Sequence, residues 1–94
     1  MKLFQNEVDW YKISQYQILS EDFIREFQDK VYWHLISEYQ HLSITFIKEF
    51  KNKIHWLLLL HKYGLSSYYY SSDHLNQNEF IDLAIRLISL KAFQ

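Results

Sequence analysis

VDWYKISQYQILSEDFIREFQDK at residues 8–30 and VYWHLISEYQHLSITFIKEFKNK at residues 31–53 are one pattern written twice, aligned without a gap at a period of 23 residues. Thirteen of the 23 positions are identical, from Val8/Val31 and Trp10/Trp33 through Ser20/Ser43 to Phe27/Phe50 and Lys30/Lys53. Self-similarity at a period of roughly 20–50 residues marks stacked supersecondary units, each too small to bury its apolar face alone. Such stacks more often build binding surfaces than active sites.

Within one unit, Trp10, Ile13 and Tyr16 or Gln17 recur at helical spacing and put an apolar stripe on a short first helix. Leu19 acts as a hinge, and Ser20 is the natural N-cap of a second helix. Glu21 and Asp22 fall in its first turn, where negative charge meets the positive end of the helix dipole. Phe23, Ile24, Phe27 and Val31 continue the buried face, and Lys30 closes the helix with the favourable sign. The second copy keeps each device, with Ser43 as cap and Asn52 suited to a left-handed helix end. Positions 22, 25 and 28 change from Asp, Arg and Gln to Thr45, Lys48 and Lys51, where exposure is expected. Glu26 and Glu49 recur with the period, and an ion pair or hydrogen bond between units is their expected role.

A third copy over 54–75 holds the register at Trp56, Leu59, Leu65, Ser66 and Tyr69 and then decays. Tyr63 has slipped by one place, and Gly64 is the expected C′ residue of a helix ending near it. Residues 66–73 are rich in Tyr and Ser and predict a loose turn of helix. Asn76 and Glu79 have the spacing of a capping box, followed by Phe80, Leu83, Ala84, Leu87 and Ile88 at helical period. Residues 76–93 therefore read as a helix that covers the open end of the stack, and Leu3 and Phe4 as an N-terminal cap on Trp10. The expected fold is all-α: one domain over residues 1–94, a miniature α-solenoid of short antiparallel helix pairs with a C-terminal capping helix.

The consensus W-x-x-I-S-x-Y-Q-x-L-S-x-x-F-I-x-E-F, carried here by Trp10, Ile13, Ser14, Tyr16, Gln17, Leu19, Ser20, Phe23, Ile24, Glu26 and Phe27, is similar to repeats in uncharacterised bacterial, phage and giant-virus proteins. The resemblance covers about half the chain. It implies a helical array and brings no activity with it. The short length and divergent third copy make the chain look like a miniature of such arrays, in keeping with a phage-encoded protein.

The sequence offers little to catalysis. One Gly in the chain excludes phosphate-binding loops and a G-x-S-x-G elbow. His34, His41, His55, His61 and His74 match no zinc spacing. No enzyme, cofactor or metal is expected. The absence of Cys fits a reducing compartment. With no basic-then-apolar start and no long apolar run, the expected location is the cytoplasm, a host's if the chain is phage-encoded. Net charge is −1, divided as −3 over residues 1–47 and +2 over 48–94. Trp10, Trp33 and Trp56 could form a stacking ladder for single-stranded nucleic acid, but that mode needs a basic groove and the overall balance argues against it. Three adjacent rings, Tyr68, Tyr69 and Tyr70, cannot share one helical face, so an exposed Tyr is expected there, with Asp73 and His74 beside it. These five are the candidate partner-binding residues. The expected function is non-enzymatic protein binding, for instance by a small phage inhibitor that blocks a host protein or an immune nuclease complex, in the manner of anti-CRISPR proteins. The alternatives are a self-assembling repeat protein and a single-strand binder.

Overall fold

Ser20 and Ser43 each accept the backbone N–H three residues on, of Phe23 and Phe46, at 3.1 Å. Each starts a helix six residues long, so the period seen in the sequence is a period of caps as well as of apolar residues. The structure, a computed structural model, describes residues 9–92. Among them are seven helices and no strand: α1 (Trp10–Tyr16), α2 (Glu21–Glu26), α3 (Trp33–Tyr39), α4 (Ile44–Glu49), α5 (Trp56–Lys62), α6 (Ser66–Ser71) and α7 (Gln77–Ala92). The N-terminal cap expected from Leu3 and Phe4 lies outside the described residues.

Helices α1, α3 and α5 lie side by side, α6 packs on α5, and α7 crosses to α4. Buried serines fix the spacing of the first three. Ser14 Oγ accepts the Tyr32 N–H at 3.1 Å, and Ser37 Oγ accepts the His55 N–H at 2.9 Å, one period further on. A second clip is Gln40, only 4 % exposed. Its Oε1 accepts the Leu19 N–H, while its Nε2 donates to the carbonyls of Ser14 (3.1 Å) and Gln17 (2.6 Å). One side chain thus satisfies three backbone groups at the end of α1 and in its link to α2. Charge adds to this at the surface. Arg25 bonds Glu49 at 3.0 and 3.1 Å and Asp22 at 2.8 Å, and Glu21 accepts from both the N–H and the hydroxyl of Ser43. Glu49 therefore has the inter-unit partner expected of it, while Glu26, likewise exposed, enters no ion pair among the described residues.

Each of the first two units closes on a triad of rings. Trp10, Phe23 and Phe27 have centroids 4.7 to 6.1 Å apart. Trp33, Phe46 and Phe50 repeat the arrangement at 4.6 to 6.2 Å. Full burial of apolar side chains begins at Ile24 and is concentrated further along the chain, at Ile36, Phe46, Ile47, Leu59, Leu60, Ala84 and Ile88. Each of the large side chains among these contributes about 1.5–3 kcal/mol by leaving water.

Four expectations need correction. Tyr16 does not belong to the buried stripe: it is 71 % exposed at the last residue of α1, whose buried side chain is Ser14. Helix α2 stops at Glu26, before Val31 and Lys30. The Phe27 carbonyl then accepts from both Lys30 and Val31 in a tight turn that still buries Val31. Asn52 is not left-handed, since no described residue other than Gly64 has a positive φ; α4 ends through the same turn, on the Phe50 carbonyl. Residues 66–71 form a regular helix rather than a loose turn. Gly64 and the capping box behave as expected. Gly64 has φ +74°, with its N–H on the His61 carbonyl and the Leu65 N–H on Leu60, a Schellman closure of α5. Asn76 and Glu79 exchange reciprocal bonds at 3.2 and 2.9 Å at the start of α7.

Candidate functional site

Position 73 opens the site. Counted by the period, it is the place of Phe27 and Phe50, yet it holds Asp. The third ring triad is therefore short of one ring, and α7 provides it. Phe80 lies 6.2 Å from Trp56 and 5.7 Å from Tyr69, edge-on to both, and stacks on Tyr68 at 5.6 Å. The replacement comes from α7 rather than from the end of the unit's own second helix. A groove of about 540 Å³ remains between α5, α6 and the start of α7, walled by His55, Trp56, Leu57, Tyr69, Asp73 and Phe80.

The five candidate residues divide unequally around this groove. Tyr69 and Asp73 line it. Tyr70 does not, but it is 67 % exposed and its ring meets Tyr69 edge-on at 5.6 Å, extending the wall outward. His74 is exposed beyond the rim. Tyr68 turns inward against Phe80, its hydroxyl oxygen buried and without a hydrogen-bond partner among the described residues. Burial pushes that phenol above its ordinary range, since the charged form has nothing to solvate it. Beneath the groove, Ser72 is buried and spends its hydroxyl on the Tyr68 and Tyr69 carbonyls, which makes it a structural group rather than a nucleophile.

His55, Trp56, Leu57 and Phe80 are site residues that the sequence reading passed over. The signal was present in Asp73 itself, a carboxylate at a position the other two copies reserve for a ring. The groove offers aromatic and aliphatic walls, one imidazole and one carboxylate. This suits the insertion of an apolar side chain with a polar group beside it. Among the described residues no three His, Asp or Glu side chains are grouped as metal ligands would be, and no helix is long and apolar enough to cross a membrane. No family model, curated protein or solved structure matches the chain.

Proposed function

We propose that this chain is a miniature α-solenoid that works as a non-enzymatic protein-binding module, with the groove at Tyr69 and Asp73 as its contact surface. Two observations support the solenoid: the serine bonds recur at the 23-residue period, and the molecule is drawn out to 46 × 26 × 19 Å. The groove carries the binding reading. It is an open recess with half-exposed aromatic walls, continued outward by Tyr70, and exposed Tyr is a favoured anchor at protein interfaces. A small inhibitor that covers a host protein's working surface is one version of this reading.

End-to-end self-assembly is the weaker reading for a specific reason. The Gln40 clip needs two free carbonyls and a free N–H in the preceding unit. In the third unit the counterparts are the Leu60 and Tyr63 carbonyls and the Leu65 N–H, and Leu65 is already bonded to Leu60. A second copy would find no equivalent socket there for Gln17.

The test is affinity capture of the tagged chain from host lysate, with and without nuclease, beside a Tyr69→Ala/Tyr70→Ala variant. A discrete protein partner that survives nuclease and is lost with the variant supports the reading. Recovery that depends on nucleic acid would promote the stacking-ladder alternative. A dimeric mass by light scattering, with no captured partner, would promote self-assembly.

A further inference from the structure

The two regular units differ most in the charge of one surface. Around Arg25 the first unit places Asp22, Glu26 and Asp29, and Arg25 is neutralised by Asp22 and by Glu49 of the next unit. One period later, Lys48 takes the place of Arg25, and both neutralising partners are gone: Thr45 stands for Asp22, and Ser72 stands for Glu49. Asn52 replaces Asp29, and Lys51 adds a cation where the first unit has Gln28. Helix α7 then brings Arg86 alongside. Lys48, Lys51 and Arg86 line one cleft of about 410 Å³ between α4 and α7, over the largely buried Ile81 and Ile85, with Asp82 the only acidic side chain in the wall. None of the three cations forms an ion pair among the described residues, although Asp82 lies one helical turn from Arg86. The macrodipole explains a lysine in the last turn of α4 but neither Lys51 nor Arg86.

We propose that this cleft is a second binding site, for an acidic peptide segment of the protein partner. The proposal rests on the protein-binding reading above, but it has its own surface and its own test. Charge complementarity selects the occupant. Three cations outside any ion pair, against one carboxylate, attract anions in an otherwise slightly acidic chain. Asp82 within the wall opposes a compact dianion such as a phosphate more than it opposes single carboxylates spaced along a chain. The cleft runs between two helices, as an extended or helical segment requires. Its aliphatic floor is nearly covered already, so binding is mostly electrostatic and weakens with salt.

Titration of the isotope-labelled protein with a synthetic peptide of repeated Glu-Glu-Leu triplets, followed by amide chemical shifts at low salt, decides the matter without any natural partner. Shifts confined to α4 and α7 are expected, with affinity lowered about tenfold by Lys48→Gln/Arg86→Gln and unchanged by Lys30→Gln. All three positions are exposed, so the variants retain the parent spectrum when free. Absence of shifts, or shifts that the double variant leaves intact, would overturn the proposal. So would tighter binding of inorganic phosphate or oligothymidylate at the same amides. Tyr69→Ala/Tyr70→Ala should leave the titration unchanged, so failure here is separable from failure at the groove.

Discussion

Two glutamines one period apart carry opposite burdens. Gln40 is buried and holds three backbone groups of the preceding unit, whereas Gln17 is exposed. Gln40→Ala strands those groups and should cost about 2–3 kcal/mol in urea denaturation, while Gln17→Ala should fall within about 0.5 kcal/mol of the parent. Identity in the sequence at positions 17 and 40 reveals nothing of this difference, because the groups that engage Gln40 lie 21 to 26 residues away in the chain. Tyr68 is a second case. Its phenol is raised above 10.0 by burial, so an unfolded chain ionises first as pH climbs. Stability from this group is complete below pH 10.0 and is lost as pH rises through the higher folded value. Tyr68→Phe removes that loss together with an unpartnered hydroxyl. The variant should match or exceed the parent at pH 7 and keep more of its melting temperature at alkaline pH. Tyr63 shifts in the same direction and Lys62 downward, also by burial, so the comparison is between parent and variant rather than with a flat baseline.

At the scale of the helix, ends matter more than lengths, since six- and seven-residue helices have little intrinsic stability. Gly64 is the sharpest of these ends. Nothing lies within 4 Å of a Cβ placed there, so Gly64→Ala meets no clash and pays only for the left-handed backbone. The expected cost is about 1 kcal/mol, read as a lowered denaturation midpoint. The same closure redirects α6. In the first two units the second helix begins one residue after a capping serine, but α6 begins at Ser66 itself, with Leu65 as an N-cap that makes no side-chain bond. Its rotation changes accordingly. Tyr70 has the place of the fully buried Ile24 and Ile47 yet is exposed, while Tyr68, in the place of exposed Asp22 and Thr45, turns inward. The caps, the glycine and the capping box were legible in the sequence because each is a bond between residues three to five apart. The rotation of α6 was not, because the run Tyr68-Tyr69-Tyr70 offers three nearly equivalent rings.

At the scale of the whole molecule, burial is uneven from helix to helix among the described residues. Helix α1 buries only Ser14 and α6 buries nothing, whereas α4, α5 and α7 hold Phe46, Ile47, Leu59, Leu60, Ala84 and Ile88 at zero exposure. Amide hydrogen exchange should reflect this, with α4, α5 and α7 opening only by global unfolding and α1 and α6 exchanging by local opening. Uniform protection along the chain would contradict the gradient. The sequence by itself determined that the chain is helical, where its caps fall and at what period its units repeat. Those properties arise from local hydrogen bonds and from the spacing of apolar residues. Only the tertiary structure decided that Phe80 replaces the ring missing at Asp73, that Gln40 but not Gln17 is engaged, and that Lys48, Lys51 and Arg86 share one cleft. Each of these joins groups distant in the chain, Phe80 with Trp56, Gln40 with Ser14 and Arg86 with Lys48, and their meeting depends on how α1 lies against α3 and α7 against α4, which no local pattern specifies.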